Sequence, residues 1–132
     1  MKREARIHEF RSILAACEGR LGIDHIDTVP LRHRLAHAVR AAGRFDEAAA
    51  LFRTNVRICE RVFGSDHLVT LRRRSSWANC HYAAGRYQEA ARLFSAILRD
   101  RERVLGADHP DTRRSLGSLS NARREAGRDS RS

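Results

Sequence analysis

An all-α fold built as a stack of helical hairpins follows from three features of this 132-residue chain. One sequence block recurs every 42 residues, a second recurs in the same register, and the stretches between them carry apolar residues at helix-face spacing. The first block, Leu21-Gly22-Ile23-Asp24-His25-Ile26-Asp27-Thr28, returns as Phe63-Gly64-Ser65-Asp66-His67-Leu68-Val69-Thr70 and as Leu105-Gly106-Ala107-Asp108-His109-Pro110-Asp111-Thr112. The second, Gly43-Arg44-Phe45-Asp46-Glu47-Ala48, returns as Gly85-Arg86-Tyr87-Gln88-Glu89-Ala90 and fades to Gly127-Arg128-Asp129. Two markers in one register define a single repeat unit: a helix A, a tight glycine turn, a helix B and a longer polar loop.

Each element takes its place in that frame. In residues 3–21, a shift of 42 lays Phe10, Leu14, Cys17, Glu18 and Leu21 on Phe52, Val56, Cys59, Glu60 and Phe63, which makes this stretch a B helix without its own A. Residues 28–42 form the first A helix. It is rich in alanine, holds Leu35, Ala36 and Val39, and ends at Gly43, a residue suited to the left-handed position after a helix. Pro30 fits its first turn, where amide hydrogens have no intrahelical partner. Residues 45–63 form a B helix whose stripe is Ala48, Phe52, Val56, Cys59 and Phe63. Residues 70–84 repeat helix A with Trp77, Ala78 and His81, and residues 87–105 repeat helix B with Ala90, Phe94, Ile97, Leu98 and Leu105. Residues 111–127 are an A without its B. Residues 128–132 read as a frayed tail, so 1–127 make one domain of six helices.

The two ends are polar where the inner repeats are not. Arg3 and Arg6 stand where Phe45 and Ala48 stand, and Ser120 and Arg123 replace Ala36 and Val39. Gly117 weakens the last helix by about 1 kcal/mol relative to Ala. Polar end faces keep a solenoid soluble, which favours a monomer. The rival arrangement joins the two open half-repeats head to tail through Ile7, Ile13 and Leu116, giving a homodimer or a filament.

Composition excludes several classes. There are 26 Lys+Arg against 16 Asp+Glu, a net charge of +10 with the seven histidines neutral. Apolar runs are far shorter than the ~18 to 20 residues of a membrane helix. The charged start, Met1 to Arg6, lacks the ~7 to 15 residue apolar stretch of a signal peptide, so the expected location is cytoplasmic. Cys17, Cys59 and Cys80 are odd in number and lack CxxC spacing, as reduced core thiols would be. His33 and His37, one helical turn apart, have the spacing to grip one zinc ion, but no third ligand accompanies them. The Asp24-His25, Asp66-His67 and Asp108-His109 pairs lie about 10 Å apart from repeat to repeat, too far to share an ion. Their expected role is to bond the free amides where A helices begin. No phosphate loop, nucleophile elbow or paired carboxylates occur, so the expectation is a protein with no enzyme activity, cofactor or metal.

One set of residues carries a resemblance. It comprises Leu35-Ala36 and Trp77-Ala78 in the A helices, the turns at Gly43 and Gly85, the aromatics Phe45 and Tyr87, the alanines Ala48 and Ala90, and Phe52 and Phe94 beyond them. Over residues 3–127 this resembles the tetratricopeptide repeat, in the 42-residue kinesin-light-chain-like form found in bacterial regulators. The resemblance implies a right-handed superhelix whose A helices line a concave groove for a peptide or another protein's helix. Carried over by position, it puts His33, His37 and Arg40 on the first part of that wall. Arg72, Ser75, Asn79 and Tyr82 follow on the second, and Arg114, Asn121 and Arg124 on the third. None of these is a carboxylate, so the implied partner is an acidic peptide, helix or protein segment, held by a scaffold of signalling or transcriptional control. In the family's clamp for C-terminal carboxylates, lysines and asparagines hold the ligand; His33 and Ser76 stand at two of those positions here. Nucleic acid is the alternative partner, because a +10 domain draws polyanions by counterion release. Few aromatics, and arginines spread over both faces, count against it.

Overall fold

The computed structural model describes residues 2–131, with side chains through residue 129. The helices are α1 (Lys2–Leu21), α2 (Val29–Ala41), α3 (Phe45–Phe63), α4 (Leu68–Ala83), α5 (Tyr87–Leu105) and α6 (Pro110–Arg131), with a single 3₁₀ turn at Ile26–Thr28 before α2. No strand occurs among the described residues. By register α2, α4 and α6 are A helices, and α1, α3 and α5 are B helices. Each helix packs on its neighbours in sequence, so the core runs the length of the stack.

The hairpin turns are tight because Gly43 and Gly85 adopt φ +80 and +79, a left-handed conformation that costs other residues about 1 kcal/mol or more. Behind each turn the chain bonds back on the helix it leaves: Arg44 N–H donates to Val39 O at 3.1 Å, and Arg86 N–H to His81 O at 2.9 Å. Ala36 and Ala48 are fully buried where α2 meets α3, and Ala78 and Ala90 where α4 meets α5. Larger side chains there would overpack the contact by roughly 1 to 3 kcal/mol. Arg44 pairs with Glu4 at 2.6 Å, and one repeat later Arg86 pairs with Asp46. Exposed pairs of this kind add ~0 to 1 kcal/mol each, so they mark the register of stacking more than they hold it.

The entry to each A helix carries the same contact, which caps α4 directly and, in the first repeat, caps the 3₁₀ turn ahead of α2. The histidine of each Asp-His pair accepts the amide two residues on: His25 Nδ1 from Asp27 at 3.0 Å, His67 Nδ1 from Val69 at 3.1 Å, His109 Nδ1 from Asp111 at 3.1 Å. The capping acceptor is thus the imidazole and not the neighbouring carboxylate. Thr70 and Thr112, both buried, donate to Cys59 O and Arg101 O in the preceding B helix.

A second device appears one turn into the first A helix. Arg32 is 2% exposed and donates to Thr28 Oγ1, Asn55 Oδ1, Glu18 Oε2 and Ile23 O at 2.9 to 3.0 Å, tying α1, its loop, α2 and α3 together. At the equivalent place in α4, Arg74 bonds Ser65 O and Asp100. In α6 the position is Leu116, 53% exposed.

Two boundaries differ from expectation. The 3₁₀ turn takes residues 26–28, so α2 starts at Val29, whereas α4, with no such turn before it, starts at Leu68. The expected tail, 128–132, is helical through Arg131. Gly127 keeps an ordinary helical backbone, no proline follows it, and Arg128 pairs with Glu125 at 2.9 Å, so nothing stops the helix there; Ser132 lies outside the described residues. Among the described residues no helix is long and apolar enough to cross a membrane.

Candidate functional site

Two clefts border the A helices, one between α1 and α2 and one between α4 and α6. The first is walled by α1 and α2. His33 and His37 stack edge to face with ring centroids 4.4 Å apart, and both lean on Phe52, at 5.8 and 5.3 Å. Their cleft, about 420 Å³, is also lined by Phe10, Ala38 and Ala41 and rimmed by Arg3, Arg6 and Arg34, with no carboxylate in its wall. Burial, then the charges of Arg73, His37 and Arg40, hold His33 down to about 4, and burial with Arg40 and Arg73 lowers His37. Both imidazoles are therefore neutral near pH 7. Arg73 reaches toward them from α4. Its Nε and the His33 Nδ1 are buried without a hydrogen-bond partner, as are Ser75 Oγ and His81 Nδ1 on α4.

The second cleft, about 270 Å³, lies between α4 and α6 over Phe94. Arg72, Ser75, Ser76 and Asn79 line one wall, and Asp111, Arg114, Ser115 and Ser118 the other. Here one carboxylate, Asp111, stands among three arginines, Arg72, Arg101 and Arg114. Arg114 pairs with Asp111 at 3.4 Å, and Arg101, 7% exposed, donates to Ser115 Oγ at 2.7 Å. Burial lowers Arg101, Asp111 opposes that, and Arg114, Arg72 and Arg74 add to it.

Six of the residues carried over by position line these clefts: His33 and His37 in the first, and Arg72, Ser75, Asn79 and Arg114 in the second. Arg40 sits close enough to His33 and His37 to depress both. The other three stand apart. Tyr82 packs on Tyr87, ring centroids 5.1 Å apart, beside the core cluster of Ala78, Ala90 and Phe94. Asn121 accepts from Arg124 at 2.7 Å, and neither lines the second cleft. The structure adds Arg34, Arg73, Arg101 and Ser115, and it puts one carboxylate, Asp111, into the second wall. Arg34 was readable in the register, since Ser76 and Ser118 are its equivalents and line the second cleft. Arg73 was not, because its equivalents Leu31 and Ser115 share no chemistry with it.

All three cysteines are buried free thiols, and burial pushes Cys59 and Cys80 up, away from the reactive thiolate.

Comparison with known proteins agrees with this architecture. The model of the tetratricopeptide repeat family matches residues 27–94 and 74–131. Among solved structures, the kinesin light chain nearly identical TPR-like repeats of Podosopora anserina are similar, with a TM-score of 0.83 at 25% identity over 95% of this chain. A point variant of that protein gives 0.82 at the same identity and coverage. The chain spans 59% of the length of each. No match emerges among curated proteins.

Proposed function

Because the chain belongs to the tetratricopeptide repeat family, whose repeats are in general protein-interaction modules, we propose that it is a non-enzymatic scaffold that holds an acidic peptide, helix or protein segment along its A helices. The observation that carries this reading is the α2–α4 junction. Arg73 Nε and His33 Nδ1 are buried there without hydrogen-bond partners. A carboxylate entering that junction meets donors already desolvated and not yet spent on internal bonds. The two imidazoles, resting on the buried Phe52, offer apolar contact beside the charge. The same reading fits a cytoplasmic protein of signalling or transcriptional control.

Titrating a labelled glutamate-rich peptide into the chain, with circular dichroism to confirm folding, tests the reading. Arg73→Glu should weaken binding by about tenfold or more, whereas Arg114→Glu, whose charge Asp111 already offsets, should cost about two- to threefold. A peptide that binds wild type and Arg73→Glu alike, or a matched lysine-rich peptide that binds equally well, would refute it. Duplex DNA competing for the same site with a steep salt dependence would favour the polyanion alternative.

A further inference from the structure

Inside the molecule, each B helix and the A helix after it carry a further A helix on one edge. On the edge made by α3 and α4 lies α2, with Ala36 and Val39 in one cluster with Ala48, Phe52 and Cys80. On the edge made by α5 and α6 lies α4, with Ala78 in one cluster with Ala90, Phe94 and Ala122. Shifts of one and two repeats map these edges onto the one formed by α1 and α2. The aromatic at its centre reports the difference: Phe52 and Phe94 are 1% and 2% exposed, while their equivalent Phe10 is only part-buried. The cleft of about 420 Å³ opens over it, and Ala38 and Ala41 continue its apolar floor.

The charge of this edge is also distinct. Arg6 replaces Ala48 and Ala90, Arg3 replaces Phe45 and Tyr87, and Arg34 replaces Ser76 and Ser118. Arg6 and Arg34 make no hydrogen bond or ion pair with any described residue. The geometry points to a docking site here for an acidic amphipathic α-helix of a partner protein, which lies on α1 and α2 as α2 lies on α3 and α4. Such a helix presents a small residue at the place of Ala36 and a carboxylate at the place of Val39, facing Arg6. A second copy fits poorly. In the same register α6 brings Ser120 to the place of Ala36 and Arg123 to that of Val39, setting arginine against Arg6. This edge is entered from the end of the stack, and Arg73, which carries the proposed groove, is no part of it.

A pair of capped peptides of residues 28–43 tests the site by fluorescence anisotropy: one carries Val39→Glu and Arg40→Glu, the other Val39→Lys and Arg40→Lys. The acidic peptide should bind about tenfold or more tightly than the basic one, and Arg6→Glu, at an exposed position, should reverse that preference. The glutamate-rich groove peptide should bind Arg6→Glu within about twofold of wild type, so failure of one site is distinguishable from failure of the other. Equal binding of the two peptides, or loss of the acidic peptide in Arg73→Glu but not in Arg6→Glu, overturns the assignment. So does a mass in sedimentation that doubles with concentration and reverts in Leu116→Asp, which gives this edge to a second copy.

Discussion

The two halves of the stack use one register for opposite ends. In the first, Arg32 is saturated with partners inside the hairpin, while the A-helix face above it leaves His33 Nδ1 and Arg73 Nε unbonded. In the second, Arg74 makes fewer bonds inside, while Arg101 bonds Ser115 and Arg114 pairs with Asp111 across the A-helix face, where, among the described residues of the cleft, Ser75 Oγ alone is buried without a partner. Stability and binding capacity are therefore distributed differently over two copies of one unit. A repeat fixes where side chains sit, and the residue at each place decides whether its polar groups are spent on the fold or remain for a partner.

The sharpest way to break that contrast is to remove the two equivalent arginines. Arg32→Ala leaves Asn55 Oδ1 buried without that donor and breaks the pair with part-buried Glu18, and should cost about 2 to 4 kcal/mol. Arg74→Ala, at a side chain 16% exposed, should cost about 1 to 2 kcal/mol. Urea denaturation of both variants measures the difference. Equal losses would mean that the internal anchoring does not differ between the halves.

How much of this was legible in the sequence follows from what the repeat does and does not encode. The 42-residue spacing placed all six helices, with α3 and α5 matching to the residue, because glycine turns and aromatic stripes are local signals. Each Asp-His pair pointed to a helix start, yet only the backbone geometry showed that Nδ1 of the histidine is the acceptor. The Arg32 network was hidden, since Glu18, Arg32 and Asn55 belong to three different elements and Asn55 has Ile97 at its equivalent place. Tyr82 shows the opposite failure. Register put it beside Arg40 and Arg124, but an aromatic ring at that place folds onto Tyr87, where burial outweighs exposure in a groove.

Acidity should separate the halves next. His33 sits at about 4 against an ordinary 6.5, so between those values the unfolded chain binds a proton that the folded chain does not. Stability contributed by the neutral ring is present above pH 6.5, declines as pH falls toward 4, and levels off below. Screening at a partly exposed ring limits the loss to about 1 to 2 kcal/mol, with His37 acting in the same direction. The charged groups around the ring are Arg40 on α2 and Arg73 on α4, with Arg3, Arg6 and Arg34 along the adjoining rim, and α3 supplies only Phe52. His33→Asn should flatten the profile, measured by urea midpoints from pH 4 to 7; Asn79→Ala, at the equivalent of His37 in the second half, should leave it unchanged. A bound carboxylate reverses the balance by favouring the charged ring, so the acidic peptide should bind more tightly as pH falls through the same window, with proton uptake seen as a buffer-dependent heat.

The smallest expected effect concerns the feature that the halves share. The cap histidines perform one task at the start of each A helix, and replacing an N-cap acceptor by alanine costs about 1 kcal/mol. His67→Ala also removes a ring stacked on Phe63 at 4.5 Å between centroids, so its cost should be at or slightly above that of His25→Ala and His109→Ala. Asparagine at the same positions restores a side-chain oxygen to the free amide and should recover most of the loss. Hydrogen exchange at the Asp27, Val69 and Asp111 amides reads this out one cap at a time. Similar acceleration at all three makes capping a property of the repeat unit, unlike the groove chemistry. Acceleration at one amide alone would extend the divergence of the halves to the helix ends and remove the shared frame on which their comparison depends.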